Sequence, residues 1–248
     1  MNIDEKIREA NNGDTDAMIE LVNHYAEALE WNEAIDWADK AAGAGNSNGM
    51  YKAACLHSLR MTSLLNGGMP FWSTMKEDAK AVQENAAVLL GSCREGYLTL
   101  EDKMYSYLLE LLKDGIYCEA VTCYCDETHA DHAQAVHLLR NVETAREQAL
   151  CGVCLFDLER YDEADNALTG VFMDASYVSE SKAPAEQIIY AAAMHSLSIM
   201  TRVNGNLERS VAALGKGIDG VTDEDLKASL GKELGRYKKK MFGGWKYA

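Results

Sequence analysis

Proline is almost absent from this sequence of 248 residues, which contains only Pro70 and Pro184. Proline disrupts the interior of a helix because it lacks a backbone N–H and clashes with the preceding turn. Alanine, leucine, glutamate, lysine and methionine, which are all good helix formers, are abundant instead. Hydrophobic residues make up 48% of the chain, which is enough to bury a core. We therefore predict a folded and mostly helical protein.

Long apolar runs are also missing. No stretch of 18 apolar residues occurs, so we expect no helix that spans a membrane. The first six residues, MNIDEK, lack the apolar segment of a secretory signal. The seven cysteines are odd in number and do not follow the regular spacing of a disulfide framework. These features predict a protein of the reducing cytoplasm.

Positive charge is scarce, with 24 Lys and Arg residues against 39 Asp and Glu residues and a net charge of −15. A protein that binds DNA or RNA without sequence preference needs a cationic surface that displaces counterions from the phosphates. The acidic balance therefore argues against a nucleic-acid partner and favours a basic or neutral one. The exception is a short basic run at residues 236–240, RYKKK.

A pair of helices joined by a short loop is indicated between residues 13 and 46. Asp14 or Thr15 can cap a first helix, which carries an apolar residue at every third or fourth position. Asn32 can cap a second helix over residues 33–42, and two glycines end it. The short loop forces the two helices to run antiparallel.

The start of this helix pair recurs 32 residues later. Residues 13–18 (GDTDAM) align with residues 45–50 (GNSNGM). A fixed period in the thirties is typical of arrays of helical hairpins. We expect a further helix over roughly residues 47–65.

A short turn signature recurs more widely: an aromatic residue, then an acidic residue, then a small residue. Copies begin at Trp31, Tyr117 and Tyr161, and weaker copies begin at Lys76 and Leu207. In this interpretation the aromatic residue plugs the turn between two helices. The acidic residue lies in the first turn of the second helix, where the positive end of the helix dipole stabilises a negative charge. The small residue lets the two helix backbones approach closely. The copies predict about five antiparallel hairpins with additional terminal helices.

Residues 33–46 (EAIDWADKAAGAGN) resemble the Sel1 pattern E/K-A-x-x-W-x-x-K-A-A-x-x-G-N/D. The matching residues are Trp37, Lys40, Ala41, Ala42 and Gly45. The hairpin loop is too short for the insertion usual in that family, so this hairpin is more similar to a tetratricopeptide (TPR) repeat. The resemblance to the Sel1-like and TPR family implies an all-α fold. It implies an α-α superhelix (solenoid) of about five antiparallel helix hairpins, formed by one repeat domain over residues 1–248.

The resemblance also implies a function, that of a non-enzymatic protein–protein interaction scaffold or adaptor. A solenoid presents a curved surface made of one helix from each pair. The partner is then another protein or peptide, basic or neutral, which contacts exposed polar residues of the first helices. The candidates are Asn23, Glu27, Lys52, His57 and Arg60. These residues define neither the partner nor the oligomeric state.

The tail at residues 238–248 (KKKMFGGWKYA) combines a basic cluster with three aromatic residues. We predict that its basic cluster ends a last helix from Asp223 to Met241 and that the residues from Phe242 onward follow that helix. Phe242 and Trp245 can fill an apolar gap at the end of the last repeat, or they can enter the groove of a neighbouring molecule. We favour the first, because the segment follows directly on the last helix and needs little reach. A tail that does neither would leave both aromatic residues for an external partner. The aromatic cluster at residues 69–72 presents a similar choice between packing and binding.

Cysteine and histidine gather between Cys118 and His137, and this segment is the basis of an alternative function. Thiolates and imidazoles are suitable zinc ligands, so a metal-dependent or thiol enzyme built on a helical array could use them. The spacing C-x-C-x3-H-x2-H from Cys123 onward matches no familiar zinc finger, and the segment overlaps a repeat helix. Buried cysteine is also common as a small core residue. We therefore predict no bound metal and no catalytic site.

Two short motifs have a structural explanation. Cys151 and Cys154 form a C-x-x-C, but they lie inside an apparent helix rather than after a strand, so we predict two core thiols. Residues 215–220 (GKGIDG) fit G-x-G-x-x-G, the glycine motif of dinucleotide-binding loops. Here the motif follows a helix instead of a strand, so the glycines are expected to end that helix. We expect no cofactor.

Overall fold

The computed structural model describes residues 2–67, 71–126, 128–174, 183–240 and 243–248. Within these ranges the chain forms twelve α-helices and one two-stranded β-hairpin. The prediction of an all-α protein is therefore confirmed. No helix of the described ranges is both long enough and apolar enough to cross a membrane.

The first six helices are α1 (Ile3–Asn11), α2 (Thr15–Glu27), α3 (Trp31–Gly43), α4 (Ser47–Gly67), α5 (Trp72–Arg94) and α6 (Asp102–Cys125). The next six are α7 (His132–Leu138), α8 (Ala145–Asp157), α9 (Tyr161–Met173), α10 (Pro184–Val203), α11 (Leu207–Gly220) and α12 (Glu224–Leu234). The strands are β1 (Tyr237–Lys239) and β2 (Trp245–Tyr247).

The chain divides into two compact units. Unit 1 consists of Met1–Ser63 and Phe71–Glu119, and unit 2 consists of Leu64–Pro70 and Ala120–Ala248. Unit 1 buries apolar side chains in two clusters, which include Leu21, Val22, Ile35 and Trp37 in the first and Val82, Leu89, Leu90 and Leu108 in the second. The largest fully buried side chains of unit 2 include Leu150, Leu168, Ile189, Met194, Leu197 and Leu214.

Several helix–helix turns close in the same way. A residue with positive φ follows the helices α1, α2, α3, α8 and α10, namely Gly13, Leu29, Gly45, Glu159 and Gly205. After α2, the Leu29 N–H donates to the Ala26 carbonyl at 3.1 Å and the Glu30 N–H donates to the Tyr25 carbonyl at 2.9 Å. This pair of bonds is the Schellman motif, which satisfies carbonyls at the end of a helix.

The repeat over residues 13–18 and 45–50 is visible in the structure. Gly13 and Gly45 both have positive φ, at 95° and 81°. The next residue caps a helix in both copies: the Asp14 carboxylate accepts the Ala17 N–H at 3.1 Å, and the Asn46 side-chain oxygen accepts the Gly49 N–H at 2.9 Å. The two segments are therefore equivalent helix starts, as predicted.

The turn signature is correct at three of its five positions. Trp31, Tyr161 and Leu207 are the first residues of α3, α9 and α11. The copies at Tyr117 and Lys76 lie inside α6 and α5, so the predictions of turns there are wrong. The glycine before Tyr117 belongs to a close helix contact instead of a turn, since a Cβ at Gly115 would lie 3.1 Å from the Ala79 carbonyl oxygen.

The role assigned to the aromatic residue of the signature is also wrong. Trp31 and Tyr161 are 45% and 50% exposed, so they do not plug the turns. The small residue three positions later is buried at all three of these turns, as a close helix–helix contact requires. Ala34, Ala164 and Ser210 are all fully buried.

The C-terminal segment differs from the prediction of a helix to Met241. α12 ends at Leu234, and β1 then pairs antiparallel with β2, with Tyr237 opposite Tyr247 and Lys239 opposite Trp245. We call β1 and β2 together the terminal hairpin. Residues 241 and 242, which include the candidate Phe242, lie outside the described residues, as do residues 69 and 70 of the aromatic cluster.

Side-chain contacts attach the terminal hairpin to unit 2. The Tyr237 hydroxyl lies 2.6 Å from Ser210 Oγ on α11, and the Tyr247 hydroxyl donates to Glu233 on α12 at 2.8 Å. The Arg202 guanidinium of α10 lies 4.1 Å from the centre of the Tyr247 ring. Trp245 is half-buried. These contacts are those of a tail that folds back on its own unit.

Candidate functional site

A cavity of about 590 Å³ lies among α3, α4 and α5 of unit 1. Its charged lining residues come from all three helices: Asp36 and Asp39 from α3, His57 and Arg60 from α4, and Glu77 and Glu84 from α5. Apolar residues such as Ile35, Met50 and Val88 complete the lining. We call this cavity the charged pocket.

Asp78 of α5 is the centre of a hydrogen-bonded cluster beside the charged pocket. Its side chain is fully buried. The Arg60 guanidinium donates to Asp78 through Nη2 at 2.6 Å and through Nε at 3.0 Å, and His57 Nδ1 lies 2.6 Å from Asp78 Oδ1. The other ring nitrogen of His57, Nε2, lies 3.0 Å from Asp39 Oδ1. The cluster therefore connects α3, α4 and α5.

The spacing of the residues explains why the cluster forms. His57 and Arg60 are three residues apart on α4, so their side chains lie on the same face of the helix. A buried carboxylate is very costly unless it is paired and hydrogen-bonded. Asp78 meets both conditions, because a guanidinium and an imidazole reach it from α4.

The cluster is ionised at neutral pH. Burial by itself would lower the pKa of His57, but the hydrogen bonds to Asp39 and Asp78 outweigh it and raise the pKa to about 9. Burial by itself would raise the pKa of Asp78, but the hydrogen bonds from His57 and Arg60 outweigh it and hold that pKa below its usual value. His57 is therefore a cation whose two N–H groups face carboxylates, and it has no lone pair with which to take up a proton.

The rim of the charged pocket remains acidic. The charges of His57 and Arg60 are compensated by Asp39 and Asp78, with which they form ion pairs. Asp36, Glu77 and Glu84 are exposed on the rim in addition. Carboxylates that line a cleft attract cations, because the low dielectric of the walls focuses the field.

The structure brings together only some of the predicted contact residues. His57 and Arg60 share the charged pocket, but His57 is 5% exposed and is not the exposed contact that we expected. Lys52 donates a hydrogen bond to the Asn23 side-chain oxygen at 2.8 Å. Glu27 is exposed at the end of α2.

Sequence reasoning missed Asp39 and Asp78, and for Asp78 a signal exists. Met75, Ala79 and Val82 are buried on the face of α5 that also carries Asp78. A charged residue inside an apolar stripe at helical spacing is a candidate for a buried ion pair. Asp39 has no such signal, because it is exposed among the polar residues of α3.

The cysteine and histidine segment does not converge. Cys118 and Cys123 are buried in α6, and burial raises the pKa of the Cys125 thiol to about 12. His129 is exposed and lies 3.3 Å from Asp126. His132 pairs with a carboxylate and not with a thiol, since its Nδ1 lies 3.5 Å from Asp157 Oδ2. His137 is exposed. Across the described residues, no group of three or more His, Cys, Asp or Glu side chains is placed to hold a metal ion.

The two short motifs lie inside helices. Cys151 and Cys154 are both buried thiols in α8, and burial raises the pKa of each. The glycine motif at residues 215–220 forms the end of α11. A Cβ at Gly217 would lie 3.0 Å from Met194 Cβ, so this glycine permits a close approach of α10 and α11.

Comparison with known proteins assigns no family. No protein-family model matches the sequence, and no significant match occurs among curated proteins or solved structures.

Proposed function

We propose that this chain is a non-enzymatic protein–protein interaction scaffold or adaptor. In this proposal its helix pairs stack into an α-α superhelix of the Sel1-like and TPR type, over one repeat domain at residues 1–248. The observation that carries the functional proposal is the charged pocket, whose acidic rim suits a basic segment of a partner protein.

The residues of the Sel1-like pattern have structural roles that support the resemblance. The Lys40 ammonium lies 3.8 Å from the centre of the Trp37 ring, which is a cation–π contact. Ala41 is fully buried, and a Cβ at Gly49 would lie 2.6 Å from its Cβ. The small residues at both positions therefore let α3 and α4 approach closely.

The chemistry of the charged pocket supports binding in preference to catalysis. A general base needs a pKa near the working pH and a lone pair that faces the substrate. His57 has a pKa raised to about 9, and carboxylates occupy both of its ring nitrogens. The rim carboxylates can nevertheless pair with lysine or arginine side chains that enter from outside.

The expected surroundings follow from charge and cysteine chemistry. All seven cysteines are thiols, which suits the reducing cytoplasm. The net charge of −15 favours a basic or neutral protein partner over a nucleic acid or an anionic membrane surface.

Selection from a library of random displayed peptides tests the proposal. The full chain is compared with the double variant Glu77→Gln and Glu84→Gln, which removes two exposed rim charges. We expect the wild-type chain to enrich peptides that contain lysine and arginine, because the rim offers carboxylates that are open to solvent. The variant should enrich them much less.

The control is the double variant Glu5→Gln and Glu101→Gln, which removes two exposed charges of unit 1 that lie outside the pocket. It distinguishes the effect of the carboxylates of the pocket on peptide selection from the effect of the net negative charge of the chain. Selected peptides without a basic bias, or a basic bias that survives in Glu77→Gln and Glu84→Gln, would contradict the proposal.

A further inference from the structure

Unit 2 contains a second concave surface, which the sequence did not indicate. A cavity of about 500 Å³ lies where the end of α8, the start of α9 and the end of α10 meet. We call it the unit 2 groove. Its volume falls within the range of about 300–1,000 Å³ that is usual for ligand pockets.

One side of the unit 2 groove is apolar and partly open to solvent. The rings of Phe156 and Tyr161 meet edge to face, with their centres 5.6 Å apart. Tyr161 is 50% exposed and Val203 is 77% exposed, although both line the cavity. Exposed apolar side chains that converge on one cavity are typical of a binding surface.

The charged residues among the described lining of the groove have one sign. They are Asp162 and Asp165, and none of the described lining residues is basic. The closest basic residue in the sequence, Arg160, forms two hydrogen bonds with Glu163, at 2.8 and 2.7 Å. Within the described residues, neither Asp162 nor Asp165 forms an ion pair.

We propose that the unit 2 groove binds a peptide segment in which a lysine or arginine adjoins an apolar side chain. The apolar side chain packs against Phe156, Tyr161 and Val203, and the cation pairs with Asp162 and Asp165. The face of the Tyr161 ring adds attraction for the same cation. This goes beyond the proposed function, because it concerns another unit and another ligand chemistry, and either site can fail without the other.

Three capped tripeptides test the ligand class. Each has an acetylated N-terminus and an amidated C-terminus, and the sequences are Leu-Lys-Leu, Leu-norleucine-Leu and Leu-Glu-Leu. Norleucine keeps the aliphatic chain of lysine and removes the ammonium group. Nuclear magnetic resonance titration of the full chain follows the amide signals of Phe156, Ile199 and Val203, which line the groove.

We expect the lysine peptide to shift these three signals and to bind at least about threefold more tightly than the norleucine peptide, since solvent-exposed ion pairs are modest. The glutamate peptide should bind more weakly than both. Equal affinities of the three peptides would overturn the cationic class. An absence of shifts at these signals up to about 10 mM peptide, beyond the weakest affinities usual for a specific site, would overturn the site itself.

Variants locate the binding. Asp162→Asn with Asp165→Asn should abolish the preference for lysine over norleucine. Its control is Asp16→Asn with Asp225→Asn, which changes the net charge equally at exposed first-turn positions of α2 and α12. A preference that persists in the first variant, or that disappears in the control, would overturn the assignment of the cation to these carboxylates.

The apolar side of the groove has its own pair of variants. Val203→Ser should weaken binding of the lysine peptide and of the norleucine peptide alike, because both lose the same packing surface. Ile188→Ser is the control, since Ile188 is an exposed apolar residue of the same helix that does not line the groove. Unchanged affinity in Val203→Ser, or an equal loss in Ile188→Ser, would overturn the apolar half of the proposal.

Discussion

Raising the pH above neutrality should weaken the folded state through His57. The ordinary pKa of this histidine is 6.5, and in the folded protein its pKa is raised to about 9. Because the folded value lies above the unfolded one, the stabilising contribution is complete below pH 6.5. It is lost as the pH rises through about 9. The difference between the two pKa values corresponds to about 3 kcal/mol in the free energy of unfolding.

The measurement compares the wild-type chain with His57→Gln in urea at a series of pH values from about 6 to 10. Trp31, Trp37 and Trp72 belong to unit 1, so tryptophan fluorescence reports mainly on the unit that contains His57. The difference in free energy of unfolding between the two proteins should fall by about 3 kcal/mol across this range. Taking the difference cancels the titration of other groups, including thiols and phenols.

His24→Gln is the matched control. His24 lies on α2 and meets the Tyr25 ring, with the centres 5.4 Å apart, instead of a pair of carboxylates. The difference in free energy of unfolding between the wild-type chain and His24→Gln should not show the fall of about 3 kcal/mol between pH 6 and 10 that is expected for His57→Gln. A difference between wild type and His57→Gln that stays constant from pH 6 to 10 would refute the reasoning about the cluster.

Other predictions concern packing, the terminal hairpin and metal content. Ala34→Leu and Ala164→Leu should each lower stability by about 1–3 kcal/mol in urea unfolding, because both side chains are fully buried and a larger one overpacks the contact. Gly152→Ala should lower the melting temperature, since the added Cβ would lie 2.6 Å from Leu168 Cδ2. Tyr237→Phe should lower the stability by about 1–2 kcal/mol through the lost hydroxyl bonds near Ser210. An unchanged melting temperature would mean that these hydroxyl bonds do not stabilise the attachment of the terminal hairpin. Elemental analysis of protein purified without a chelator or metal-binding tag should find less than about a tenth of an equivalent of zinc, because core thiols need no metal.

The first helix pair is predictable because several local signals agree there. A capping side chain, an apolar period and a terminal glycine coincide at Asp14 and Gly45, and the structure has helix boundaries at both. The turn signature fails at Tyr117, which lies inside α6. Gly115 permits a close contact with α5, where a Cβ would lie 3.1 Å from the Ala79 carbonyl oxygen, and no local pattern indicates that contact.

The terminal hairpin shows a second limit of local reasoning. The last helix was expected to continue through the basic run at residues 236–240 to Met241, but it ends at Leu234. The buried Tyr237 hydroxyl instead meets Ser198 and Ser210, at 3.3 and 2.6 Å. These partners are 39 and 27 residues away in sequence, so no local pattern could indicate them.

The sequence indicated two residues of the charged cluster but not the two carboxylates that pair with them. His57 and Arg60 were candidates because they are polar and lie on a first helix, but their partners lie on other helices. Asp39 is 18 residues and Asp78 is 21 residues from His57 in the sequence. The stripe that contains Met75 and Ala79 could have marked Asp78 as buried. The ion-pair geometry that makes His57 a poor contact for a partner required the structure.

The most direct test of the central claim is the affinity of one selected basic peptide for the charged pocket, measured by titration calorimetry at two salt concentrations. For Glu77→Gln with Glu84→Gln we predict binding about two- to thirtyfold weaker than for the wild-type chain, since each exposed carboxylate contributes about 0.2–1 kcal/mol. Raising the salt from about 0.05 to 0.5 M should weaken wild-type binding more than variant binding, because screening acts on the charges that the variant lacks. Equal affinities of the two proteins, with equal salt dependence, would contradict the account.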